Sequence, residues 1–201
     1  MSQLKLTADG GGGTVAIKGP ASTTGNNAFE LTVPGTASAT LDTLVRAGNI
    51  LQVKQTTKTD TASQVINTGS DFNPTFLRQS ITTTGSNKVL IEGVVNVSMT
   101  SEGNVMNLGL RRNNSDVGVG DADGNRRRCT SASFHEDNYN LANIYFSFLD
   151  SPSAGTHEYH LQFSHSSGGN QTFYFNRTPV DTNNNKYPRT ISFIRCSEVA
   201  A

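Results

Sequence analysis

Apolar and polar residues alternate along most of this chain, in short runs separated by Gly, Pro, Asn and Ser. The longest run is 89–99, where Val89, Ile91, Val95, Val97 and Met99 fall on odd positions and Glu92, Asn96 and Ser98 between them. A period of two of this quality predicts a strand with one buried face. The same pattern predicts strands at 50–55, at 106–110, at 144–148 with Ile144, Phe146 and Phe148 on one side, at 159–163 with His160 and Gln162 facing outwards, at 173–175 and at 191–194. Turn residues separate them at 84–87, 101–104, 123–124, 151–152, 166–170 and 183–185. Roughly eight short strands without a long helix predict an all-β fold, a jelly-roll β-sandwich spanning 48–201.

Residues 1–47 read differently. Leu4 and Leu6, Val15 and Ile17, and Phe29, Leu31 and Val33 mark short alternating segments broken by Gly and Pro. None carries enough apolar surface to fold alone, since an isolated hairpin is marginal in water. They predict an extended β arm or stem that is ordered against copies of itself, with Val15, Ile17, Phe29, Leu31 and Val33 turned to a shared axis. Leu41, Leu44 and Val45 are spaced for one or two helical turns stopped by Gly48. Within the sandwich, Phe173 and Phe175 suit a strand that is apolar on both faces and packs against a neighbouring copy.

Composition narrows the function classes. The 201 residues carry 16 basic and 16 acidic side chains, so no global field draws in nucleic acid or an anionic membrane. No stretch has the length of a membrane span, and the N-terminus lacks a secretion pattern. The two cysteines, Cys129 and Cys196, are read as free thiols of a protein made in a reducing cytoplasm.

The motif search yields little chemistry. Residues 121–125 resemble a calcium loop but lack the bidentate acid, Ala132 standing in its place, and read better as a turn at Asp123-Gly124. His157 and His160 are three apart on a strand pattern, which turns them to opposite faces, and the histidines read as solvated. No nucleophile elbow or phosphate loop is present, and no constellation meets the geometry of an active site. Metal, cofactor and catalytic residues are therefore expected to be none. Arg126, Arg127 and Arg128 form the densest charge run, either a solvated loop or a contact for an acidic sugar or a partner's carboxylates.

Residues 10–24 followed by 29–36 resemble the repeat at the start of tailed-phage fibre proteins, a valine–x–leucine–lysine–x–proline–alanine strand followed by a threonine–leucine–proline strand. Residues 50–60, 88–91, 117–126, 146–152, 175–177 and 187–189 resemble the C-terminal knob of marine phage fibre-like virion proteins. The resemblance implies a homotrimeric jelly-roll knob, similar in outline to complement-C1q and tumour-necrosis-factor domains, on an intertwined β stem. It implies a protein on the virion surface, with the arm meeting other virion proteins and the knob meeting a host glycan or further virion parts. No catalytic residue comes with it. The contact loops expected from the sequence are Asp121, Asp123 and Arg126 to Arg128 in one, and Asn183, Asn184 and Lys186 in the other. A capsid decoration without a receptor and a carbohydrate-active enzyme are the alternatives.

Overall fold

The computed structural model describes residues 3–7, 14–18, 46–100 and 102–201. The chain divides into two units, 1–43 and 44–201. In the first, β1 (Gln3–Thr7) pairs antiparallel with β2 (Thr14–Lys18), with Leu4 opposite Ile17 and Leu6 opposite Val15. Phe29, Leu31 and Val33 and the expected helical turns at Leu41, Leu44 and Val45 lie outside the described residues.

The second unit is built from β3 (Ile50–Lys58), β4 (Ala62–Ile66), β5 (Arg78–Thr83), β6 (Lys88–Met99), β7 (Asn104–Arg112), β8 (Ser115–Val117), β9 (Ser131–His135), β10 (Ala142–Asp150), β11 (Gly155–His165), β12 (Gln171–Phe175) and β13 (Ser192–Val199). The described residues contain no helix. In one sheet β10 pairs with β6. The far edge of β6 is shared end to end by β13 and β12, which in turn pair with β3 and β4. In the other the order is β5, β11, β7, with β8 and β9 sharing the far edge of β7. Every pairing is antiparallel. When β3, β5, β6, β7, β9, β10, β11 and β13 are taken as first to eighth, the sheets run first–eighth–third–sixth and second–seventh–fourth–fifth. This is the jelly-roll connection, in which every step except fourth to fifth crosses between layers.

Periodicity explains the core. Val89, Ile91, Val95, Val97 and Met99 of β6 are fully buried between the sheets. They meet Met106, Leu108 and Leu110 of β7 and Tyr159, Leu161 and Phe163 of β11 in one apolar cluster. Gly93 interrupts the inward row of β6 for a steric reason. A Cβ there would lie 2.2 Å from the Phe193 carbonyl oxygen and 2.8 Å from Phe146 Cζ. Phe173 and Phe175 are fully buried in this same core, where Phe175 meets Phe76 and Phe163 edge-on at 5.1 and 5.3 Å. Both rings are thus used inside one chain, and Tyr174, on the opposite face of β12, lies under the Arg177 guanidinium, 4.2 Å from the ring centroid.

Two polar devices hold the sandwich where apolar packing ends. At one end Asp150 of β10 reaches across to the other sheet. Its Oδ2 accepts hydrogen bonds from Tyr159 Oη at 2.7 Å and Arg112 Nη1 at 2.6 Å, and its Oδ1 accepts from the Ser151 amide. Burial, then the Asp150 carboxylate, pushes the Tyr159 phenol well above its ordinary range. Where β3 gives way to β4, buried Asn176 adopts a left-handed backbone (φ 60°). Its Nδ2 donates to the carbonyls of Lys58 and Asp60, and its Oδ1 accepts from Ser192 Oγ at 2.6 Å. The side chain bridges the break between β3 and β4 and the one between β12 and β13.

Candidate functional site

The two outer faces of the sandwich differ in chemistry, and register shows how. On the β10–β6–β13–β3 face, Leu149, Leu90, Ser197 and Val53 form one row across the strands. Tyr145, Val94, Phe193 and Thr57 form another. Between them lies the row Ser147, Glu92, Arg195 and Gln55, where Arg195 Nη2 and Glu92 Oε2 are 3.3 Å apart. Two apolar rows thus flank an ion pair. Nine large hydrophobic residues are exposed among the described residues, and seven of them (Ile50, Leu51, Val53, Val65, Tyr145, Leu149 and Ile191) lie on this sheet or immediately before β13. Scattered single hydrophobics on a surface are ordinary; a contiguous set on one face marks a contact surface.

The opposite face is mostly polar and charged, with exposed Phe134 at its β9 edge. Arg78, His160, Arg111 and Asp116 form a row across β5, β11, β7 and β8, with Arg111 Nε 3.1 Å from Asp116 Oδ1. Gln162 lies in register with Gly109 in the next row, and Ser164 with Asn107 in the one after. The loop between β8 and β9 borders this face. Gly118 opens it in a left-handed conformation (φ 58°) that also leaves room for the Phe148 ring, and the turn closes with the Arg126 amide donating to the Asp123 carbonyl.

The structure reads the arginine run more finely than its charge does. Arg126 is paired with Asp123 and Arg127 with Asp71, while Arg128 Nε donates to the Gly120 carbonyl at 2.7 Å. These side chains are held rather than loose. Arg126, Arg127, Arg128 and Arg111, with Asp71, Asp116, Asn125 and Gln162, line a cleft of about 430 Å³. A second cleft of about 280 Å³, lined in part by Asn107, Ser164, His165 and Ser166, shares Asn125 and Arg127 with the first. Asp121 and Asp123 line neither.

The other expected contact loop lies between β12 and β13, on the other sheet. Asn183 and Asn184 line a cleft of about 370 Å³ with Asp181, Thr182, Tyr187 and Arg189, but Lys186 does not. Asp181 is fixed there by Arg189 at 2.7 Å, and Tyr187 stacks on exposed Tyr139 at 6.0 Å. The two loops share no cleft residue.

No protein-family model matches the chain. No curated protein matches it in sequence either. Among solved structures it is similar to a chain of infectious bursal disease virus, Gt strain, with a TM-score of 0.43 and 14% identity over 98% of this chain and 47% of that one. The Gx strain gives 0.43 and 13% identity over 83% and 42%. Infectious bursal virus-derived T=1 particles give 0.42 and 12% over 98% and 44%. The chain spans less than half the length of each.

The histidines correct a sequence expectation. His157 and His160 do face opposite ways on β11, but neither is solvated. His157 Nε2 is 2.7 Å from the Ser153 carbonyl oxygen inside the sandwich. His160 is fully buried on the outer face, where the long side chains of the flanking Arg78 and Arg111 stand beside it. His135 is also fully buried. No group of three or more metal-ligating side chains converges among the described residues. Both thiols are free, and burial pushes Cys196 up to about 12.

Burial holds His135 below its ordinary 6.5, against the pull of Asp137 and Glu102. Burial, then Arg78 and Arg111, holds His160 below it too, against Glu158. The fold thus favours the neutral form of both, whereas in the unfolded chain each takes up its proton as pH falls through about 6.5. Their contribution to stability is therefore constant above pH 7 and declines below 6.5, by up to about 1.4 kcal/mol per pH unit for each histidine. Urea unfolding at pH 7.5, 6.5 and 5.5 is expected to show this loss, and a His135→Gln/His160→Gln variant to lack it. An unchanged slope in that variant assigns the protons elsewhere. Glu198 titrates in a lower window: burial raises its carboxyl, but hydrogen bonds from Asn87, Gln52 and Thr84 outweigh this and hold it below 4.5.

Proposed function

We propose that this chain is a virion structural protein, a homotrimeric short fibre or appendage. Its C-terminal sandwich associates with two further copies through the β10–β6–β13–β3 face, and residues 1–47 attach it to other virion proteins. The observation that supports this is the concentration of exposed apolar side chains on that sheet, on or beside which seven of the nine large ones among the described residues lie. A soluble monomer gains nothing from two apolar rows in water, whereas three copies bury them at about 25 cal/mol per Å² of apolar surface. The Glu92–Arg195 row between them fixes register, because a misaligned neighbour leaves a charge without a partner. The number three comes from the resemblance of the sequence to phage fibre knobs. The polar face then points outwards, towards a host surface, and no catalytic role is assigned.

Light scattering coupled to size exclusion tests the reading. The full chain is expected to elute at three chain masses. A Val53→Asp/Tyr145→Asp variant is expected at one mass, with an unchanged strand signal in circular dichroism. A wild-type chain that stays monomeric at tens of micromolar overturns the proposal.

A further inference from the structure

The two clefts on the polar face share Asn125 and Arg127, so they form one groove across β7 and β11. Gly109 stands between Arg111 and Asn107 on β7 and opposite Gln162 on β11, and it contributes no side chain to the face. A Cβ at this position would meet nothing nearer than Gln162 at 3.9 Å, and its φ is not in the left-handed region. Neither crowding nor backbone conformation therefore requires glycine here. A glycine inside a strand weakens it, and strands keep one at a bulge, at a tight bend or where a ligand or another backbone approaches closely.

We propose that this groove binds an extended anionic oligosaccharide, its acidic groups on Arg126 and Arg128 and its hydroxyls on Asn125, Gln162, Asn107 and Ser164. The arginines are pre-positioned for it. Arg126 uses one terminal nitrogen on Asp123 and Arg128 uses its Nε on Gly120, which leaves guanidinium donors on each for a carboxylate or sulfate. Four arginines line the first cleft against two aspartates, so its walls carry a positive excess. Amides and hydroxyls dominate the rest, the groups that match sugar hydroxyls. Neither cleft is lined by Phe, Tyr or Trp, so a nucleic acid strand finds no stacking platform. Neither has an apolar pocket to anchor a peptide.

The proposal rests on the preceding reading only in that the polar face stays open when the apolar face is covered. Binding is measured on the full chain whatever its mass, so a monomer that binds supports the groove, and a trimer that does not bind removes the groove alone. Isothermal titration at 50 mM salt would use oligogalacturonate as the carboxylate probe, dextran sulfate as the sulfate probe, neutral dextran, and single-stranded DNA of equal charge. One or both acidic glycans are expected to bind, which identifies the anion, and dextran and DNA at least tenfold more weakly. Gly109→Val adds a side chain between Arg111 of one cleft and Asn107 of the other, alters no charge and favours the strand, so it is expected to reduce affinity about tenfold or more while the unfolding midpoint does not fall. Arg126→Lys/Arg128→Lys keeps the charge but loses the planar fork, with a loss of similar size. Binding that survives Gly109→Val, DNA binding as tight as the glycans, or no binding to either acidic probe each overturns the proposal.

Discussion

Replacing Asp150 by Ala is expected to destabilise the sandwich by about 3–5 kcal/mol, the range for removing one partner of a buried charge pair. The cost does not come from the attraction that is lost. It comes from what is left behind: Arg112 keeps its charge at a site mostly shielded from water, and the fully buried Tyr159 hydroxyl loses its acceptor. Three partners meet on one carboxylate that joins the two sheets. Tyr159→Phe, which removes only one hydrogen bond and leaves the ion pair, should cost about 1 kcal/mol. Urea unfolding of both variants at pH 7.5 reads the difference. If Asp150→Ala costs no more than Tyr159→Phe, the carboxylate does not carry the inter-sheet link.

Gly93→Ala should be nearly as damaging, about 3 kcal/mol, although it adds a single methyl group. The added carbon would overlap both the Phe193 carbonyl oxygen and the edge of the Phe146 ring. A side chain can swing away; a carbonyl within a hydrogen-bonded ladder cannot move without parting β13 from β6. Trimming the ring with Phe146→Leu in the Gly93→Ala background is therefore expected to recover only part of the loss, as the shift in urea midpoint would show. Full recovery assigns the clash to the ring alone and removes the backbone from the account.

Much of this fold was legible because a strand buried on one side writes its period into the sequence. The odd positions of β6 and the aromatic rows of β10, β11 and β12 pointed to the sandwich directly. The contact face was harder to read. Leu90 and Val94 break the alternation of β6, and Tyr145 and Leu149 break that of β10. Strands apolar on both sides are expected to meet neighbours, and Phe173, Tyr174 and Phe175 fit that pattern, yet both phenylalanines turn inwards. Register, not composition, decides which side of the sheet is spare. The arginine run had the converse difficulty. Its charge was visible, but the aspartates that hold it are at Asp71 and Asp123, one of them remote in sequence. His160 was expected to face water because it alternates with core residues. It does sit on the outer face, yet two arginine stems beside it shut the water out. Gly109 carries no sequence signal, since an absent side chain has meaning only once its neighbours are known.

The division of the sandwich into an apolar and a polar face has a consequence for how such a protein can change over generations. Residues of β6, β10 and β13 are constrained from both sides, because one substitution there disturbs the interior or the proposed contact with a sister copy. The outward side chains beside Gly109 and those of the turn at Asp123-Gly124 answer to neither demand. A lineage can thus rewrite what the outward surface recognises, one side chain at a time, while the scaffold beneath it is inherited unchanged.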